Sequence, residues 1–330
     1  ARTWDGEALE DAIHAAGGCA GLVRTEAEWA LHVQATAVAG QPLLEIRRIG
    51  DAPVEPLPPG KRPLSGVRVL DLTRVLAGPT CARSLAEHGA DVLKVTAAHL
   101  PDSGAVEFDT GLGKLSAHLD LRDPDDAERL RGLLREGDVF SQSYRPGTLA
   151  ARGFSPEALA ALRPGIVCVS LSAWGASGPW RARRGFDTIV QAVSGMAHAS
   201  GDASGPRYLP VSAIDYVSGY LMAFGAMVAL ERRALAGGSW LVSVSLARIG
   251  RWITAQGVLA PPAYGSVPGE LAESELRALL EDTVSPAGRI RHLRPIVQMS
   301  ETNGAWRRPP VPLGYHAPAW PARSATSGVP

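Results

Sequence analysis

Cysteine is scarce in this sequence. Cys19, Cys81 and Cys168 are the only three, and none stands in C-x-x-C spacing. That argues against a disulfide framework and against a zinc site, so no metal is expected, and it suits a reducing, cytoplasmic setting. Net charge is absent as well: 33 Lys and Arg balance 33 Asp and Glu, which leaves no basic footprint for nucleic acid and no acidic tail. No stretch reaches the ~18 uninterrupted apolar residues of a membrane span, and no signal peptide is visible, so neither a membrane nor a nucleic-acid partner is expected. Ala1 falls in a helical pattern, which suits the remainder of a longer product. Also missing is a G-x-G-x-x-G fingerprint. The strand VRVLDL runs into the turn T-R-V-L-A-G-P, which offers no glycine-lined approach for a pyrophosphate and weakens any reading as an NAD-dependent dehydrogenase.

What is present is a chain of 330 residues, 45% hydrophobic, long enough to bury a large core and to form two domains. Residues 4–48 carry helical signals, with Thr25 three residues before Glu28 as a capping box, and end in the strand-like LLEIRRI. A proline-rich linker, GDAPVEPLPPGKRP, follows. From 64 to about 175 strands and helices alternate: VRVLDL, a helix after Pro79, ADVLKV, a helix opening at Asp123-Pro124, DVF, SPEALAALR and IVCVSLSAWG. This alternation predicts an α/β fold with a doubly wound, mainly parallel sheet. Residues 216–235 are apolar on every face and read as a helix packed closely on all sides, before the strand LVSVSL. Beyond 255 the chain is proline-rich and irregular, with one helix near 270–281. Three regions result: 1–60, 61–255, and a C-terminal extension, 256–330, packing back on the middle region.

Several polar residues stand out, each with an ordinary structural explanation. Asp215, at the mouth of the apolar helix, suits an N-cap, since Asp satisfies the free amides of a first turn. The cluster Arg181, Arg183 and Arg184 suits a solvated loop, and Lys114 in GLGKLSAHLDL a surface lysine. His99, His118 and His198 show no ligand spacing. Trp174 and Trp180 suit packing around a G-x-S-G-P turn.

The segments LSGVRVLDLTRVLAGP, LAEHGADVLKV, GKLSAHLDL, YRPGTLAARGFS, RPGIVCVSLSAWGASGPW, RRGFDTIVQAVSGM, AIDYVSGYLMAFGAMVALERR and VSVSL stand in one order across roughly 64–250. In that order they resemble the signatures of the family III CoA-transferases, which include formyl-CoA and carnitine CoA-transferases and, as a divergent branch, α-methylacyl-CoA racemase. The resemblance implies a Rossmann-like CoA-binding domain over 61–255 and makes 1–60 similar to the family's small-domain and tail segment. It implies that coenzyme A, as acyl-CoA, is a substrate together with a free carboxylic acid, and that the chains form an interlocked homodimer.

Position by position, the family's nucleophilic aspartate falls on Asp215. The turn bordering CoA falls on Val75, Leu76 and Ala77, a further CoA contact on Leu119, and a phosphate-contacting cation on Arg184. The dipole and unpaired amides of a helix N-terminus favour an ionised carboxylate, which can then act as a nucleophile near neutral pH. In the implied mechanism Asp215 attacks a donor thioester to form a mixed anhydride, and the CoA thiolate attacks that anhydride to form an aspartyl-CoA thioester. The acceptor carboxylate completes the exchange without ATP.

The chain also departs from the family's pattern. G-L-G-K-L-S replaces N-R-G-K-R-S, Ala97 stands where an arginine is frequent, Ser143 replaces an asparagine, and only about 85 residues follow VSVSL, too few for the usual small domain with its glycine-rich loop. A rearranged or truncated transferase fits these departures. So does a non-catalytic CoA-binding subunit. The racemase branch needs a histidine where this chain has Phe186, which makes that reading weaker.

Overall fold

The computed structural model describes residues 3–257, 259, 263 and 265–322. Three helices open the chain: α1 (Gly6–Ala15), α2 (Glu26–Leu31) and α3 (Val33–Ala39). The capping box at α2 forms as the sequence predicts, with Thr25 accepting from the Glu28 amide and the Glu28 carboxylate accepting from the Thr25 amide. Strand β1 (Glu45–Gly50) follows. The alternating region then runs β2 (Arg68–Leu72), α4 (Ala77–Glu87), β3 (Asp91–Thr96), α5 (Ala105–Thr110), β4 (Lys114–His118), α6 (Pro124–Arg135), β5 (Val139–Gln142), α7 (Pro156–Leu162) and β6 (Val167–Ser172). Asp123 caps α6 and Ser155 caps α7, each with proline in the first turn, where its missing N–H costs nothing. After β6 come α8 (Asp187–Val193), α9 (Met196–Ala199), α10 (Ala213–Ala236), β7 (Ser239–Ser245) and α11 (Leu246–Thr254).

The seven strands form one sheet in the order β1-β7-β6-β5-β2-β3-β4. All pairings are parallel except β1 against β7. Without β1 this is the doubly wound order, in which the chain starts in the middle, winds one way through β3 and β4, then returns to wind the other way through β5, β6 and β7. A parallel sheet is covered on both faces, so its strands read as unbroken apolar runs, and every residue of β2 is buried. Side chains alternate across it. Val69, Val92, Val139, Val167 and Val242 meet α4 and α10, whereas Leu70, Leu93, Phe140, Cys168 and Leu241 meet α6 and α7.

Two expectations are corrected. The long helix α10 is not enclosed all round: Phe224 and Leu235 are 54% and 75% exposed, although the face toward α4 and β7 is buried. It is long and apolar enough to cross a membrane by composition alone, but its contacts are those of a core helix. The region beyond 255, which the sequence pattern makes irregular apart from one helix, holds besides α12 (Glu273–Leu279) an antiparallel hairpin of β8 (Leu280–Ser285) and β9 (Gly288–Leu293). Farther on, Trp306 donates to the Arg83 carbonyl and Trp320 to that of Leu133, and Arg308 pairs with Asp91, so this segment lies against α4, α6 and β3.

Candidate active site

Strands β2 and β5 are neighbours, and the chain leaves them toward opposite sides of the sheet. At such a switch point the two connections diverge and open a crevice outside the carboxyl ends of the strands. The crevice here is a pocket of about 160 Å³. Its walls are Arg74, Val75, Leu76 and Ala77 after β2, Ser143 and Tyr144 after β5, Leu171 to Ala173 at the end of β6, Gly185, Phe186 and Leu246, with Asp215 of α10. Four of the six site residues expected from the sequence thus meet at one place: Val75, Leu76, Ala77 and Asp215.

The turn after β2 is held from two sides. Asp71 accepts from the amide and hydroxyl of Thr73, and the Lys114 ammonium bridges the Asp71 carboxylate (2.7 Å) and the Pro79 carbonyl (2.9 Å). Gly78 packs so tightly that a Cβ there would stand 2.3 Å from that of Thr73. On the other side a Cβ at Gly219, one turn beyond Asp215, would lie 2.5 Å from the Ala77 carbonyl oxygen, so only glycine lets α10 approach. Between these clamps Val75 has φ +70°, the only non-glycine positive φ among the described residues. A β-branched residue there is strained by about 1–3 kcal/mol, which the surrounding bonds sustain. Lys114 is therefore buried and paired rather than a surface lysine.

Asp215 is the third residue of α10, not its cap. Ser212 occupies the cap position and makes no side-chain bond to the first turn. The missing acceptor comes from Asp187, whose carboxylate takes the Asp215 amide proton at 3.0 Å. The Asp215 side chain is 7% exposed, and among the described residues no donor reaches it. Burial, followed by the charge of Asp187, pushes its carboxyl up to about 7. This corrects the expectation from the helix N-terminus, because loss of water and a neighbouring acid outweigh the dipole, an effect of at most about 2 kcal/mol.

Leu119 lines an adjacent pocket of about 140 Å³ at the ends of β3 and β4, together with Ala97, His99, Arg122, Tyr144 and Arg152. Tyr144 borders both pockets, so they adjoin. Arg184 is less central. Its side chain is exposed on the loop before α8, and only its carbonyl is engaged, by Trp174. Arg183 is occupied, paired with Asp11 and lying over Trp180. Trp29, Trp174 and Trp180 form one aromatic cluster, as packing residues should. A larger cavity of about 290 Å³ on the α7 side shares Ser172 with the Asp215 pocket. Full burial pushes its Cys168 thiol far up, which keeps that sulfur neutral and poorly nucleophilic. Among the described residues no cluster of three His, Cys, Asp or Glu could hold a metal.

Residues missed from the sequence are Asp187, Tyr144, Arg74, Arg122 and Arg152. Asp187 lies 28 residues from Asp215, and only the packing of α8 against α10 joins them.

The fold and site define an α/β protein with a buried carboxyl at its switch point. Comparison with known proteins then gives the family: the CoA-transferase family III model matches residues 64–283, and the chain belongs to that family. It is 37% identical over 210 residues to the acetyl-coenzyme A transferase nodX of Hypoxylon pulicicidum, covering 62% of this chain and 35% of that protein. It is 28% identical over 365 residues to an acyl-CoA transferase of Gibberella moniliformis, covering 96% and 64%. A hypothetical protein of Mycobacterium tuberculosis superposes with a TM-score of 0.55 at 30% identity over 59% of this chain and 58% of its own. A mutant of it reaches 0.68 at 20% identity over 82% and 100%, a likeness of fold. The chain spans less than two thirds of the length of these curated relatives.

Proposed function

We propose that this chain transfers coenzyme A from an acyl-CoA thioester to a free carboxylic acid, with Asp215 as the nucleophile. The observation that carries this reading is the Asp215 carboxyl itself: buried, free of hydrogen-bond donors and facing the pocket bordered by the Val75–Ala77 turn. A carboxylate with little water around it and no donors is a stronger nucleophile than a solvated one. Its oxygen attacks the thioester carbonyl and expels the CoA thiolate, giving a mixed anhydride. The thiolate attacks the aspartyl carbonyl and releases the donor acid, leaving an aspartyl-CoA thioester. The acceptor carboxylate attacks that thioester, and the thiolate then takes the acceptor acyl group, regenerating Asp215. Because only the ionised form attacks, turnover rises with pH through about 7.

CoA would run from this pocket past Tyr144 into the pocket of Leu119, where Arg152, beside an Arg122 already paired with Asp120, supplies a cation in place of those missing around Lys114 and at Ala97. Arg184, exposed at the rim, serves as an outer phosphate contact. The half-open apolar face of α10 around Phe224 supports assembly as a homodimer, which size measurement on dilution tests. A carboxyl titrating near 7 also suits a general base, but Phe186 leaves a racemase without its second proton carrier.

The decisive experiment mixes the protein with a panel of acyl-CoA thioesters and free acids and detects new thioesters by mass. Asp215→Asn is expected to lower exchange by several orders of magnitude while CoA still binds. Hydroxylamine trapping after acyl-CoA treatment is expected to mark Asp215 alone. Exchange by Asp215→Asn at the wild-type rate overturns the mechanism, and acyl-CoA binding without exchange selects a non-catalytic CoA-binding subunit.

A further inference from the structure

We infer that Asp187 is a positioning residue for Asp215: its carboxylate caps the helix that carries the reacting carboxyl and, by keeping the charge of the pair, leaves the proton on Asp215. Asp187 is 3% exposed, and no Lys, Arg or His among the described residues lies within ion-pair distance of it. A buried carboxylate without a cation is costly unless donors surround it. Asp187 has them. The amides of Ile214 and Asp215 and the side-chain amide of Gln191 all donate to it, and Gln191 is itself fixed by the Leu209 amide at 2.8 Å. Asp215 has none. Burial pushes both carboxyls up, and only at Asp187 do hydrogen bonds oppose it; two neighbouring acids in one dry site do not both ionise readily, so the acid with donors keeps the charge and the acid without them keeps the proton.

Other titratable groups on elements around Asp215 include Arg74, Arg83, Tyr144, Arg184, Tyr216 and Arg248. Arg83 is paired with Asp109, Arg74 donates to the Pro101 carbonyl and Arg248 to that of Gln41. Tyr144 and Tyr216 have their hydroxyls pushed toward the neutral form by burial. None of the six hydrogen-bonds to Asp215. Asp187 is thus the one neighbouring group whose charge acts strongly on it.

The test is the titration of the Asp215 carboxyl carbon, followed by NMR in the unliganded full chain, for wild type, Asp187→Asn and Asp187→Glu. Asp187→Asn keeps an oxygen acceptor for the helix amides and removes the charge, so the acid dissociation constant of Asp215 is expected to rise at least about tenfold. Asp187→Glu restores the charge and is expected to return it toward wild type. Should Asp187→Asn fail to fold, Asp187→Ser provides a second neutral cap. An unchanged Asp215 titration in the neutral variants overturns the inference. Only the kinetic arm rests on the transferase reading: the exchange–pH profile is expected to move to lower pH in step with the titration. A shifted titration with no exchange in any variant leaves the inference standing and removes the transferase reading.

Discussion

Asp71 and Asp215 are both buried aspartates within reach of the same turn, and the protein treats them in opposite ways. Asp71, on the middle strand, is neutralised by the fully buried Lys114 and accepts two bonds from Thr73. Asp215, on α10, has neither cation nor donor and sits beside a second acid. The first arrangement fixes the backbone of the turn against Pro79 and Thr73. The second leaves a carboxyl whose charge is decided by pH and by whatever enters the pocket. A buried acid held by a cation and by hydrogen bonds on both oxygens is structural, and one left bare at a pocket wall is available for reaction.

The largest expected effect comes from breaking the paired side of this contrast. Lys114→Met leaves the Asp71 charge buried alone and should cost about 3–5 kcal/mol in urea unfolding, and the double change Asp71→Asn/Lys114→Met should recover much of that. A single variant as stable as wild type would show that the pair does not anchor the turn.

Removing the unpaired charge should do the reverse. Because folding raises the Asp215 carboxyl to about 7, the folded chain holds a proton that the unfolded chain releases at about 4. Its contribution to stability is therefore full below pH ~4 and is lost as pH rises toward about 7. Asp215→Asn should escape that loss, gaining on wild type between pH 4 and pH 8 by at most about 4 kcal/mol. A stability difference that does not change with pH would place the Asp215 titration near that of an ordinary carboxylate.

A smaller effect is expected at the rim. Arg184→Ala should weaken CoA by about tenfold and dephospho-CoA by less, measured by calorimetry, because one charge-assisted phosphate contact is lost. An equal loss for both ligands would place Arg184 on a part of CoA that the two share, and no loss for either would move the phosphate role to Arg152. The smallest effect belongs to Val75→Gly, where relief of the positive φ is offset by the added freedom of the unfolded chain together with the lost packing of the partly covered Val75 side chain, so stability should change by less than about 1 kcal/mol.

Much of the frame was legible in the residues. The alternation of apolar strands with capped helices, Asp123-Pro124 and Ser155-Pro156 among them, specified a parallel sheet because caps and periodicity act within a few residues. The ordered motifs pointed to the family and to Asp215, and the turn of Val75 to Ala77 meets Asp215 in one pocket. The β8–β9 hairpin was hidden, because its strands carry no regular apolar alternation and only the pairing of one with the other defines them.

The ionisation of the site lay beyond the sequence. From the chain alone Asp215 is an acid at a helix start and Lys114 a lysine beside a glycine, and both have familiar surface roles. Solvation and charge depend on what stands within a few ångströms, and those neighbours come from Asp187, 28 residues away, and from Asp71, 43 residues away. The sequence determined which elements form and which residue types they carry. The crossing of α8, α10 and the turn after β2 at the switch point decided which acid is paired, which is bare and which holds the proton, because that crossing alone removes water from one side and brings a second charge to the other.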